Sequence, residues 1–133
     1  MLRSTCNIVP NMVHSFNESG FKKITVHFYR NLNGKEPVRE WLLSLDREDC
    51  KVIGIDIKTV EFGWPIGMPV CKPLGRGIYE VRSNLKDNIA RTIFCIEEDQ
   101  MILLHGFIKK SQKTPDKEIE LALRRRKEVL KNE

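Results

Sequence analysis

An α+β domain is the fold class this sequence predicts, on three observations. The chain has 133 residues, the size of one domain. Its apolar positions alternate between period two and period 3.6, in the order strand, helix, helix, strand, strand, strand, helix. The last three strand-like segments are joined by turns short enough to imply an antiparallel meander. The expected arrangement is a small antiparallel sheet with two helices packed on one face and a further helix at the C-terminus. The other sheet face is then available for work.

Residues 1–22 read as an N-terminal extension, loosely ordered, with Ser15-Phe16-Asn17-Glu18-Ser19-Gly20 as a turn-like stretch. Residues 23–133 hold the domain. Ile24-Thr25-Val26-His27-Phe28-Tyr29 alternates apolar and polar, a first strand with Ile24, Val26 and Phe28 inward. A turn at residues 31–35 precedes Pro37, which suits the first turn of a helix because its missing N–H is one the helix start leaves unbonded anyway. Val38, Trp41, Leu42 and Leu45 then form one apolar helix face. Asp46, with Asp49 three residues on, signals a second helix with Cys50, Ile53, Ile57 and Val60 at helical spacing. Gly63-Trp64-Pro65 ends it, since proline disfavours a helical residue before it. A Pro/Gly-rich connector follows, and Gly75-Arg76-Gly77 reads as the start of a hairpin. Strands are expected over 78–85, 89–96 and 100–108. Thr114 caps and Pro115 begins the last helix, with Ile119, Ala122, Leu123, Val129 and Leu130 on its apolar face.

The net charge of +5 is unevenly placed. Residues 109–133 hold nine basic and five acidic side chains, against 14 basic and 13 acidic in residues 1–108. A cationic end of this kind favours a polyanionic partner, although a solvated basic helix has the same composition. No apolar run approaches the roughly 20 residues that span a bilayer, and the start of the chain lacks the pattern of a secretion signal. Cys6, Cys50, Cys71 and Cys95 form no C-x-x-C pair, and no His stands at zinc-ligand spacing. Four reduced thiols in a cytoplasmic protein are the expectation.

The usual catalytic constellations are missing. His14, His27 and His105 fit no metalloprotease or deaminase spacing, and there is no nucleophile elbow or phosphate-cradling glycine loop. What stands out is a set of cations on strands. In Ile78-Tyr79-Glu80-Val81-Arg82, residues 78, 80 and 82 share a face, where Glu80 could fix the Arg82 guanidinium. Arg91 interrupts an apolar strand, so it must reach an edge, a carboxylate or a ligand phosphate. Either Glu80, Arg82 and Arg91 form a salt-bridge network on the sheet, or they face a phosphate. Lys109 and Lys110 end the last strand and Lys113 follows, where a scaffold presents functional groups or a turn is merely solubilised.

Two blocks of sequence carry a resemblance. Pro73-Leu74-Gly75-Arg76-Gly77-Ile78-Tyr79-Glu80-Val81-Arg82 resembles a K-P-L-G-x-G-L-Y-E-L-R signature. Leu103-Leu104-His105-Gly106-Phe107-Ile108-Lys109-Lys110-Ser111-Gln112-Lys113-Thr114-Pro115, followed by Glu118-Ile119 and Ala122, resembles L-L-H-G-F-x-K-K-x-x-K-T-P…E-I-x-x-A. Both are signatures of the phage-derived HigB-like branch of the RelE/ParE toxin superfamily, the toxins of type II toxin–antitoxin modules. The resemblance runs from about Ile24 to Leu130. Two positions depart from it: Ala90, where relatives often carry an aromatic, and Arg76, where a small or acidic residue is common. The first twenty-odd residues have no counterpart, and are expected either as an antitoxin-binding arm or as a stretch ahead of a true start at Met12.

The resemblance implies a RelE-like fold and a ribosome-dependent mRNA endoribonuclease that needs no metal and no cofactor. It implies a HigA-like helix-turn-helix antitoxin, the ribosome and mRNA as partners, with no membrane. By the same resemblance Arg82 and Arg91 bind phosphate and stabilise the transition state, and Glu80 orients Arg82. Lys109 and Lys110 stabilise charge or move a proton, and Lys113 touches nucleic acid. Arg76, Tyr79, His105 and Arg124 are further RNA-contacting candidates, with core packing the commoner use of Tyr79 and His105. Two alternatives remain open: a non-enzymatic ParE-like toxin that inhibits DNA gyrase, and an inactive partner that only holds an antitoxin.

Overall fold

A computed structural model describes residues 24–109 and 113–131; the expected extension at 1–22 lies outside the described residues. The first strand, β1 (Thr25–Phe28), is followed by α1 (Pro37–Leu43) and α2 (Arg47–Gly63). Pro37 opens α1 as expected. Asp46 occupies the position before α2, but its side chain caps nothing, so the anticipated capping pair does not form. Four strands follow: β2 (Cys71–Gly75), β3 (Ile78–Asn84), β4 (Ile89–Glu97) and β5 (Gln100–Lys109). Helix α3 (Asp116–Lys131) is the last element among the described residues.

The architecture is α+β, with five strands in the order β1-β5-β4-β3-β2. Two features correct the expectation. The Pro/Gly-rich connector contributes a strand: Cys71 opposes Val81, Lys72 opposes Glu80 and Pro73 opposes Tyr79. Proline cannot donate to a ladder, which is why this strand sits at a sheet edge and was hidden by its composition. The sheet is also mixed, not wholly antiparallel, because β1 runs parallel to β5, pairing Val26 with Met101 and Phe28 with Leu103. The chain leaves β1 through the two helices, re-enters at the far edge, and meanders back until β5 arrives beside β1.

Residue parity divides the sheet into two faces. On one, Val38 and Leu42 of α1 and Cys50, Ile53, Ile57 and Val60 of α2 pack against Val26, Val81, Ala90, Phe94, Met101 and Leu103. Helix α1 comes close enough that a Cβ on Gly106 of β5 would lie 2.2 Å from the Trp41 ring, so only glycine fits there. Buried Glu61 accepts the Val26 N–H at 2.9 Å and satisfies the outer edge of β1. On the second face Tyr29, Ile78, Ile93, Cys95, Ile102, Leu104 and Phe107 receive Ala122 of α3. That face is therefore only partly free, because α3 lies across it from β1 and β5 to the β2–β3 turn.

The β2–β3 connection is the hairpin anticipated at Gly75-Arg76-Gly77, with all three residues at positive φ. A Cβ at Gly77 would lie 2.7 Å from the Arg126 guanidinium, so α3 rests directly on this turn. Cys71 and Cys95 are buried thiols. Cys50 is disulfide-bonded, a departure from the four thiols expected, since spacing along a chain does not say which cysteines folding brings together. Among the described residues no helix is long and apolar enough to cross a membrane.

Candidate functional site

The face under α3 carries polar side chains in three cross-strand rows. The first holds Lys72, Glu80, Ile93 and His105 from β2, β3, β4 and β5. The second holds Arg82, Arg91 and Phe107, and the third Asn84, Ile89 and Lys109. Successive rows are two strand residues apart, about 7 Å. Arg82, Arg91 and Lys109 thus share one surface.

Glu80 is the hub. Arg91 Nη1 donates to Glu80 Oε2, and the Thr114 hydroxyl donates to Glu80 Oε1. Lys109 Nζ donates to the same hydroxyl at 3.3 Å. Glu80, Arg91, Lys109 and Thr114 are 1%, 4%, 5% and 6% exposed, so this is a buried network in which one carboxylate balances two cations. A buried charge without such a partner would be expensive. Burial, with Arg91 next in effect, pulls the Lys109 ammonium below the usual lysine value; Lys72 and Arg82 push the same way and Glu80 opposes them. Arg82 is half-buried, and its Nε finds no hydrogen-bond partner among the described residues.

Glu80 therefore holds Arg91 and not Arg82, which corrects the pairing expected from spacing within one strand. Residues 80 and 82 lie on one face of one strand, but 80 and 91 sit diagonally on adjacent strands, within reach of a long side chain. Thr114 does not cap α3. The carbonyl of Pro115 accepts the first helical N–H groups, from Glu118 at 3.1 Å and Ile119 at 3.3 Å, leaving the Thr114 hydroxyl to Glu80 and Lys109.

The other candidates are scattered. Lys110 lies outside the described residues. Lys113 is exposed just before Thr114. His105 lies on the working face, but its Nε2 donates to Glu118 Oε1 of α3 at 2.6 Å and its ring stacks on Phe107 at 5.3 Å. Burial lowers its pKa against the opposing pull of Glu118. Tyr79 points to the opposite face, stacked on Phe94 at 5.5 Å and edge-on to Trp64 at 5.0 Å. That places it in the core beneath α2, away from the cations. Arg76 is exposed at the β2–β3 turn, at the other end of β3 from Arg82. Arg124 lies on the outer side of α3, in a shallow groove with Glu120, Leu123 and Lys127.

Two members of the site were missed in the sequence. Lys72 stands opposite Glu80 on the edge strand, where the Pro/Gly-rich composition predicts a connector. Thr114 carried a helix-cap signal that concealed its role. Among the described residues no group of three or more His, Cys, Asp or Glu side chains could hold a metal ion.

A family model described as phage derived protein Gp49-like (DUF891) matches residues 40–127, which include every member of this network. No curated protein matches the chain.

Proposed function

We propose that this chain, which belongs to the phage derived protein Gp49-like family, is a toxin that cuts mRNA on the ribosome by metal-free attack of the 2′-OH. The family is RelE- or toxin-like and is associated with the toxins of toxin–antitoxin systems. The observation that carries the finer reading is the convergence of Arg82, Arg91 and Lys109 from three strands on one face, where Glu80 holds Arg91 and, through Thr114, Lys109.

The chemistry follows from that inventory. A base takes the 2′-OH proton, O2′ attacks phosphorus, the P–O5′ bond breaks, and the 5′-oxygen takes a proton from water. The products are a 2′,3′-cyclic phosphate and a 5′-hydroxyl. Lys109, held below its ordinary pKa, supplies a neutral amine more readily than a solvated lysine does. Arg82 offers its guanidinium fork to the phosphoryl oxygens, where charge builds in the transition state. Arg91, fixed by Glu80, keeps a second positive charge beside the phosphate at no cost of reorganisation. A HigA-like antitoxin is the partner that would hold such an enzyme inactive.

Translation of a reporter mRNA with the purified protein, followed by mapping of 5′ ends, tests the reading. Wild type should give new 5′-hydroxyl ends within codons. Arg82→Ala, a change at a half-buried position, should lower the cleavage rate about 100-fold with the fold intact by circular dichroism. An intact message with wild-type protein would overturn the reading. The burial of Glu80 and Arg91 favours a second one, in which the network only braces the sheet and the chain acts by binding. An uncut message in a translation that the wild-type protein nonetheless halts would assign the network that bracing role.

A further inference from the structure

The turn between β3 and β4 opens a hollow of about 500 Å³ beside the cationic network. Asn84, Leu85, Lys86, Asn88, Ile89 and Lys109 line it. Three of them are the third row of the working face: Asn84 opposes Ile89, and Ile89 opposes Lys109. The hollow thus begins where the Arg82–Arg91 row ends, about 7 Å along the strands. Lys109 belongs to both, because it lines the hollow and donates to Thr114 in the network.

The lining has a particular chemistry. Leu85 and Ile89 give half-buried aliphatic surface. Asn84 and Asn88 are exposed amides, each with a donor and an acceptor side by side. They stand at either end of a turn closed by the Leu85 N–H donating to the Asn88 carbonyl at 2.8 Å, which limits their relative movement. Lys86 and Lys109 bring two positive charges against one carboxylate, Asp87. The volume lies within the range of small-ligand sites, roughly 300–1,000 Å³. Paired donor and acceptor groups match the edge of a nucleobase, and aliphatic walls tolerate its flat face. A cationic margin suits the phosphates on either side.

We propose that this hollow is a nucleobase subsite for single-stranded RNA: it takes the base adjoining the phosphodiester at Arg82 and Lys109, and Asn84 and Asn88 read that base's edge. The assignment of the adjoining phosphodiester rests on the nuclease reading above; the binding of a ribonucleotide in the hollow does not.

NMR titration of the full chain with ribonucleoside 3′-monophosphates, and separately with inorganic phosphate, tests it. The nucleotides should shift the side-chain amide signals of Asn84 and Asn88, whereas phosphate alone should leave them in place. The Asn84→Ala/Asn88→Ala double variant, changed only at exposed positions, should bind nucleotide about tenfold more weakly and phosphate as wild type does. Amide signals that stay still with nucleotide, or that move equally with phosphate, overturn the subsite. The two readings fail separately. Amide shifts with an uncut message support the subsite and sink the nuclease, and a cut message with silent amides does the reverse.

Discussion

Glu80 shows how one side chain decides the character of a surface. Its carboxylate accepts from Arg91 on one oxygen and Thr114 on the other, and through Thr114 it steadies Lys109. Replacing it by glutamine keeps the size and one acceptor but removes the negative charge that Arg91 meets. Glu80→Gln should then destabilise the fold by about 3 kcal/mol in urea unfolding, the scale for breaking a buried ion pair from one side. It should also move the Lys109 pKa further down, since Glu80 raises it. The sign for stability follows. Lys109 in the unfolded chain keeps its proton up to about the ordinary lysine value, while in the fold it loses it sooner. Between those two values the unfolded state binds more protons, so stability rises with pH there, and the rise should begin at lower pH in Glu80→Gln. An unchanged urea midpoint, with an unchanged Lys109 titration by NMR, would show that the carboxylate balances nothing. The presence of these charged residues was legible in the sequence. Their partners were not, because Arg91 and Thr114 reach Glu80 across 11 and 34 residues of chain, and local spacing carries no signal at that range.

At the scale of an element, α3 is held in an unusual manner for a helix on a sheet. Among its described residues only Ala122 is buried. Ile119, Leu123 and Val129 pack half-buried against the sheet, and polar contacts join them: His105 to Glu118, Arg125 Nη1 to the Leu104 carbonyl at 2.8 Å, and Tyr29 Oη donating to Glu128 Oε1 at 2.5 Å. Arg125 also lies over the Tyr29 ring at 5.3 Å. The periodicity of Ile119, Ala122, Leu123 and Val129 revealed the helix and its inner side. It could not reveal that polar groups from β1 and β5 would fasten it, and Leu130, expected on that side, is exposed. Composition failed in the opposite direction for β2, whose Pro73 disguised an edge strand. The fastening of α3 has a pH signature. Burial, then the hydrogen bond to Glu128, pushes the Tyr29 phenol up to about 12 from 10.0. The stabilisation is complete below the unfolded value and is lost as pH climbs from about 10 through about 12, when the unfolded chain has already given up the proton. Hydrogen exchange in α3 should therefore speed up across that window while β4 stays protected. Tyr29→Phe should abolish the pH-dependent part and weaken the attachment by about 1 kcal/mol at neutral pH. Exchange that rises equally in α3 and β4 would mean that the helix is not separately fastened.

Among the described residues, charge is unevenly divided between the two faces of the sheet. Helix α2 carries three basic and four acidic residues over one face of the sheet. The other face presents Lys72, Arg82 and Lys109, and over it α3 turns Arg124 and Lys127 outward. The described part of the cationic end seen in the sequence, residues 113–131, is thus folded back over the face that carries the network. Charge counting located the excess but not the side of the sheet that it joins, because that depends on how β5 feeds α3. Such an arrangement attracts a polyanion over an area wider than the reacting centre, and each phosphate contact releases counterions. Affinity for a single-stranded RNA should fall linearly with salt on logarithmic axes, by a slope of about 0.7 per phosphate contacted. Reversing two charges on α3, Arg124→Glu with Lys127→Glu, should weaken binding at low salt and flatten the slope by about 1.4 if each side chain meets one phosphate. Reversing Lys51 and Lys58 on α2 should leave the slope as in wild type, since those residues lie beyond the opposite face. Equal slopes for the α3 and α2 variants would confine RNA to the cationic network itself and remove α3 from the interface.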